Sequence, residues 1–230
     1  MTTIEYTGRD NLEVMAEARN YNRYLVDLIL GWFDQARAPL VDFGAGGGTF
    51  AVQVAHEGFD VSCVETDPVL SDMLRRKGLR VSSSLDAAPD ASLAGIYSLN
   101  VLEHIEEDNA TLALWHRKLA PGGRLLVYVP AFQVLFSSMD RKVGHHRRYR
   151  KAGLAQQLTQ AGFELNAVRY ADSLGFLAAL LYRFTDGGQG DINPRMLRTY
   201  DRLVFPLSRW LDLACGPLFG KNVYACALKR

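Results

Sequence analysis

Cysteine is scarce and unpaired: Cys63, Cys215 and Cys226 are the only three in 230 residues, and none stands at the spacing of a metal knuckle or a redox pair. That excludes a disulfide scaffold, and the three thiols are expected to be buried and reduced. Long apolar runs are also missing. The longest, Leu174 to Tyr182, falls well short of the ~20 residues that cross a bilayer, so no transmembrane segment is expected, although peripheral membrane contact stays open. Neither sign of charge dominates, with 26 Lys and Arg against 25 Asp and Glu and a formal net charge of +1. A general attraction to nucleic acid is therefore not expected, and a polyanion would need a local patch. The first twenty residues are polar and charged, lacking the apolar stretch of a signal peptide, so a cytoplasmic chain is the expectation. Repeats and low-complexity segments are absent. At 48% hydrophobic residues the chain has enough apolar side chains for a full core.

What is present is a glycine loop. Val41 to Phe50 reads Val-Asp-Phe-Gly-Ala-Gly-Gly-Gly-Thr-Phe. Lacking a Cβ, Gly44, Gly46 and Gly48 let the chain turn sharply from strand to helix and approach a ligand closely. The same spacing also satisfies looser dinucleotide patterns, so the glycines alone do not choose a cofactor. Asp42 does. A carboxylate two residues before the loop repels a pyrophosphate and attracts an ammonium or sulfonium group. About twenty residues on, a second apolar stretch ends at Glu65, placed to accept hydrogen bonds from ribose hydroxyls, with Asp67 expected to cap a helix over residues 68–76. Capping by both acids is the competing reading.

Two further segments, Ile-Tyr-Ser-Leu-Asn-Val-Leu-Glu-His-Ile at 96–105 and Leu-Ala-Pro-Gly-Gly-Arg-Leu-Leu-Val-Tyr-Val-Pro at 119–130, follow in order. With the loop and Glu65 they resemble the class I S-adenosylmethionine-dependent methyltransferases, strongly from about Leu40 to Pro130. That resemblance implies a Rossmann-like α/β fold with a seven-stranded, mostly parallel sheet, an antiparallel last strand and helices on both faces. It also implies S-adenosyl-L-methionine as the cofactor. Carried over residue by residue, it sets Asp42, Gly44, Ala45, Gly46 and Gly48 at the methionine part and Glu65 with Thr66 at the ribose. Asp86 falls at the adenine, and Asn100 with Val101 beside the methionine portion, with Leu102 and His104 at the rim. Tyr21, in a segment that in such enzymes covers the cofactor, is a candidate for its carboxylate; packing of Tyr21 on the sheet is the alternative.

Hydrophobic periodicity predicts a helix over residues 11–33, then strands at 39–43, 60–64, 79–83, 94–99, 124–129 and 163–169, and a last strand at 223–228. Three regions follow: a helical cover over 1–37, a core over 38–172 and 220–230, and an apolar helical lid over 173–219. Residues 185–194, rich in glycine and polar side chains, read as a flexible connection.

The segment Asp140 to Lys151 holds six of the 26 basic residues. A basic run is commonly a solvated loop. This one follows the fifth strand, where the loops of such sheets build the ligand crevice, and it resembles a methyltransferase branch with a Gly-His-x-Arg-Arg-Tyr element. His146, Arg147, Arg148 and Tyr149 are therefore candidates for holding an acidic acceptor. His145 is the first candidate for general base, His104 and His146 are alternatives, and Asp140 is expected to orient the base or bind Arg148. No metal site is expected, because the histidines and carboxylates show no ligand spacing.

The expected function is O-methylation of a small or amphiphilic, acidic acceptor by in-line transfer with a histidine base, in a monomer or homodimer. A nucleic-acid methyltransferase and a nicotinamide-dependent oxidoreductase are the alternatives. The first lacks the charge for a polyanion; the second leaves Asp42 unexplained.

Overall fold

The computed structural model describes residues 8–33, 39–185, 188, 190–215 and 218–230. Seven strands form one sheet: β1 Leu40–Phe43, β2 Val61–Val64, β3 Arg80–Ser82, β4 Leu93–Leu99, β5 Leu119–Pro130, β6 Phe163–Ala171 and β7 Asn222–Lys229. Their order is β3-β2-β1-β4-β5-β7-β6. The first five are mutually parallel, and β7 slots between β5 and β6 antiparallel to both. That is the architecture the sequence implies.

Alternation along β5 shows how the core is divided. Leu125, Val127 and Val129 face one side, where they meet Trp115, Leu154 and Leu158; Leu126 and Tyr128 face the other, with Leu25, Ile29 and Phe33. Strands buried on both faces read as unbroken apolar runs, as these do. The first side is covered by α5 Asp108–Lys118 and α7 Lys151–Gln160, the second by α2 Arg19–Phe33, α3 Thr49–His56 and α4 Pro68–Arg76.

The helix predicted over 11–33 is two helices, with α1 Arg9–Met15 preceding α2. Distant contacts break it. Asn22 Nδ2 donates to the carbonyls of Met15 and Ala16, tying off the end of α1. Asp201 accepts the amides of Asn20 and Tyr21, satisfying orphan donors at the start of α2. No local pattern announces either contact.

After β6 come α8 Ser173–Thr185 and a long helix in which α9 Pro194–Thr199 passes through a π-type stretch at 200–204 into α10 Phe205–Cys215. Earlier in the chain, α6 Ser138–Val143 lies in the loop that follows β5. Asp212 pins the α8–α10 pair to the sheet by accepting the amides of Asp172 and Ser173. Its outer surface is apolar and exposed: Leu181, Phe184, Leu207, Trp210 and Leu213 are each at least 61% accessible. Among the described residues no helix is long and apolar enough to cross a membrane. The predicted connection at 185–194 lies partly outside the described residues, and so does the side chain of Cys215; Cys63 and Cys226 are buried and free.

Candidate functional site

The loop after β1 takes three left-handed turns, at Gly44 (φ +78°), Gly46 (φ +54°) and Gly48 (φ +81°). The glycines serve different ends. A Cβ on Gly44 would lie 2.4 Å from Val101 Cγ2 and one on Gly48 2.7 Å from Leu74 Cδ2, so both are needed for packing. A Cβ on Gly46 would meet only Leu12 Cδ1, at 3.7 Å, so its backbone faces an open cradle beneath α1. Ala45 is buried and donates its amide to the Val64 carbonyl.

Glu65, at the end of β2, holds this loop from the side. Its Oε2 accepts the Gly46 amide at 2.8 Å and its Oε1 the Asp67 amide at 2.9 Å. Each oxygen keeps a lone pair, so the carboxylate can still accept a ribose hydroxyl. Asp67 caps α4 as expected, accepting from Val69 and Leu70 amides, and also binds Arg9 of α1 at 2.6 Å. That ion pair fastens α1 across the mouth of the loop. Thr66 and Asp86 are exposed, and Asp86 forms a local turn with Ser84.

Asp42 is 2% exposed, and its Oδ2 has no hydrogen-bond partner among the described residues. Burial pushes its carboxyl up to about 7, against the neighbouring Tyr97 hydroxyl and with help from Glu65. A buried, orphaned acceptor beside an open cradle fits a cationic ligand and does not fit a pyrophosphate. Because the folded-state value lies above the ordinary 3.8, Asp42's contribution favours the fold most below pH ~4 and is lost as pH rises through about 7. A bound cation reverses that loss. Asp42→Asn is therefore expected to raise the melting temperature at pH 8 relative to wild type and to weaken cofactor binding about tenfold. Melting curves from pH 5 to 9 that stay parallel for the two proteins would remove this role.

Asn100 ends β4 in a left-handed conformation (φ +55°), donates its amide to the Tyr128 carbonyl and meets Asn222 Nδ2 through its Oδ1 at 3.4 Å. Tyr21 packs on the sheet close to Asn100. It is 8% exposed and meets Tyr128 and Phe205 edge-on, at ring separations of 6.3 and 5.5 Å.

Beyond Asn100 a cluster of charged groups forms where the turn Leu102–His104 meets the loop after β5. His146 N donates to the Glu103 carbonyl at 2.8 Å, which joins the two segments through main chain, and His145 N donates to the Asp140 carbonyl at 2.8 Å within the loop. His145 Nδ1 lies 2.7 Å from Asp140 Oδ1, its Nε2 lies 3.7 Å from Glu103 Oε1, and its ring sits 4.5 Å from that of His104. Burial, and then the neighbouring His145, pushes His104 down to about 4. Burial pushes Glu103 up to about 8. Asp140 both orients His145 and binds Arg148, so its two expected roles coexist.

Within the basic run Arg148 and Tyr149 are buried and Arg147 is partly so, each engaged with a carboxylate, while Arg141, Arg150 and Lys151 are exposed. Arg148 is 8% exposed and reaches Asp140 through Nε and Nη2 at 2.8 and 2.9 Å. Arg147 binds Asp108 at 2.9 Å and the Glu106 carbonyl at 2.8 Å. Tyr149, buried, donates to Asp108 at 2.9 Å. These donors satisfy buried carboxylates, as buried charges require. His146 alone of the four points its side chain to solvent. A further cation near this cluster, which sequence reasoning did not single out, is Lys221, one residue before β7. Burial lowers its pKa, the fields of Asp172, Arg148 and Asp140 act on it, and it has no ion-pair partner among the described residues. A lone lysine before a strand carries no signal by itself. Glu103, His104 and His145 each bring one ligand atom to within 4.8 Å of the others, a juxtaposition that no ligand spacing in the sequence announces.

Comparison with known proteins adds the lineage. A family model described as "Methyltransferase domain" matches residues 12–168. Among curated proteins, a ubiquinone biosynthesis O-methyltransferase of Xanthomonas oryzae pv. oryzae is 28% identical over 116 residues, 46% of this chain and 48% of that protein. One from Xylella fastidiosa is 29% identical over 100 residues, 39% and 41% of the two chains. The match thus spans about half the length of these relatives or less. Among solved structures, geranyl diphosphate C-methyltransferase from Streptomyces coelicolor aligns with a TM-score of 0.66 at 15% identity, over 94% of this chain and 82% of that one. A SAM-dependent methyltransferase from Archaeoglobus fulgidus gives 0.60 at 17%, over 90% and 94%. The [4+2]-cyclase SpnF gives 0.61 at 18%, over 90% and 81%, so the fold is not tied to one reaction. With its sheet order, its glycine cradle and the family match over residues 12–168, the chain belongs to the methyltransferase-domain family, whose cofactor is S-adenosyl-L-methionine.

Proposed function

We propose that this chain transfers a methyl group from S-adenosyl-L-methionine to an oxygen of a small or amphiphilic acceptor held beside His145. The observation that carries the reading is the adjacency of Asn100, which ends β4, to the cluster Glu103, His104 and His145, which begins three residues later. The O-methylation named for the matched relatives supports oxygen as the receiving atom. When bound, the cofactor supplies an activated methyl on a positively charged sulfur. Asp42 and Glu65 favour that charge and orient the ribose. Asp140 holds His145 Nδ1, so the Nε2 lone pair is the one presented to an acceptor hydroxyl.

Lys221 is the cation for an acidic group on the acceptor, in place of the arginines. The exposed apolar face of α8 and α10 supports an amphiphilic or lipid-like acceptor delivered across that side. His145→Ala is expected to lower kcat by ~10²-fold or more while leaving cofactor affinity within twofold. Labelled methyl transfer to a panel of hydroxybenzoates and prenylated phenols, with calorimetry for the cofactor, checks both numbers. Wild-type turnover in the variant at neutral pH would remove the base.

A further inference from the structure

We propose that Glu103, His104 and His145 form a binding site for a divalent cation at the acceptor end of the crevice. Three independent features of the cluster point to a ligand. First, Glu103 is 0% exposed and, among the described residues, neither of its carboxylate oxygens has a hydrogen-bond partner. A buried carboxylate in that state is costly unless it is protonated or meets a cation. Second, the three side chains offer ligand atoms within 4.8 Å of one another, with His145 Nε2 3.7 Å from Glu103 Oε1, a separation that one ion can bridge. Third, the outer support is already built. Asp140 Oδ1 engages His145 Nδ1 at 2.7 Å, which fixes Nε2 as the unprotonated nitrogen facing Glu103. Carboxylate behind histidine behind metal is the usual way proteins aim an imidazole at an ion. His104 is held in a similar manner by the main chain of Val143 and Gly144. The His146 amide, donating to the Glu103 carbonyl, ties the two segments together, and the His145 amide, donating to the Asp140 carbonyl, fixes the loop locally.

The donor set selects the ion class. Two imidazoles and one carboxylate suit zinc, manganese or iron(II) better than magnesium, which prefers oxygen ligands throughout. Three protein ligands leave open coordination positions. The consequence for turnover rests on the proposed O-methylation. An acceptor hydroxyl that coordinates the ion loses its proton to solvent more easily, and the resulting oxyanion forms the new O–C bond while the electrons of the breaking C–S bond remain on sulfur. With the ion in place His145 is a ligand, and coordination takes over the work assigned to the base.

The test needs neither cofactor nor acceptor, so it stands apart from the fate of that reading. The full chain, stripped with a chelator, is titrated with Zn²⁺, Mn²⁺ and Mg²⁺ by calorimetry, and bound metal is counted by elemental analysis. One Zn²⁺ or Mn²⁺ per chain is expected, with Mg²⁺ at least tenfold weaker. Glu103→Gln, close in size to glutamate, should lose at least 100-fold in affinity, and His145→Ala likewise, whereas His56→Ala, at an exposed site, should bind as wild type. Circular dichroism confirms that the variants are folded, and if Glu103→Gln is not, His104→Gln replaces it. Failure of the wild type to bind any of the three ions, or wild-type affinity in folded Glu103→Gln or His104→Gln, overturns the site. If the ion binds but chelation leaves methyl transfer unchanged, the site stands and its part in turnover falls.

Discussion

Gly46→Val is expected to abolish S-adenosyl-L-methionine binding, with affinity falling at least 100-fold and turnover falling with it, while the fold survives. The argument separates this glycine from its neighbours. At Gly44 and Gly48 any side chain would collide with Val101 or Leu74, so substitution there damages packing first. At Gly46 a Cβ finds only Leu12 at 3.7 Å, so little in the protein opposes the larger side chain sterically. Two costs remain. The first is conformational, since a β-branched residue at φ +54° is strained by ~1–3 kcal/mol, enough to lower the melting temperature by several degrees. The second is that the valine methyls occupy the cradle. Gly46→Ala should fall between, losing affinity with a smaller stability change. Calorimetry with the cofactor and its demethylated product reads the loss, and thermal melts confirm folding. Unchanged affinity in folded Gly46→Val would place the cofactor elsewhere.

Most of the fold was legible because parallel strands buried on both faces leave continuous apolar runs, and these are visible without any partner. The strands over 40–43, 61–64 and 93–99 lie within one residue of their predicted bounds. Strand β5 was not fully legible. It begins at Leu119, five residues early, and runs through Pro121-Gly122-Gly123, which locally reads as a turn. The irregular pairing of β4 with β5 between Leu93 and Gly95 accommodates this stretch, a fact of the neighbouring strand. The break between α1 and α2 was hidden for the same reason, because Asp201 lies some 180 residues from the amides it accepts.

The site divides along the same line. The cofactor half is written in a short span, where Gly44 to Gly48 and Glu65 lie one strand apart, and Gly46 N meets Glu65 Oε2 as adjacent strands dictate. The acceptor half is assembled from Glu103, Asp108, Asp140 and Lys221, which no spacing connects. A run of arginines looks solvated when its carboxylates are forty residues away, as Asp108 is from Arg147. Glu103 had the weakest signal, an acid beside a histidine after a strand, and only the fold shows that it is buried without a hydrogen-bond partner among the described residues.

Asp140 carries the other large expectation, because it is the hub on which that half turns. It is 0% exposed and accepts from Arg148 twice, from the Ser137 amide at 2.8 Å and hydroxyl at 3.2 Å, and it engages His145. Burial opposes its ionisation, but the hydrogen bonds from His145 and Arg148 outweigh that and hold the carboxyl well below its ordinary 3.8. A depressed folded-state value contributes stability above pH ~4 and loses it on acidification below that. Asp140→Asn keeps the shape but leaves the Arg148 charge buried without its counter-ion, which costs ~3–5 kcal/mol, or roughly 10 °C in melting temperature. It also lets His145 take the wrong tautomer, so turnover should fall by ~10²-fold or more. Adding Arg148→Met to Asp140→Asn separates the two effects. The double variant removes the orphaned charge and should regain most of the lost stability, because an apolar side chain of similar length tolerates burial. Turnover should not return, since nothing then orients the imidazole. A double variant that recovers turnover along with stability would reduce Asp140 to a structural ion pair, and the histidine would owe its orientation to the backbone alone.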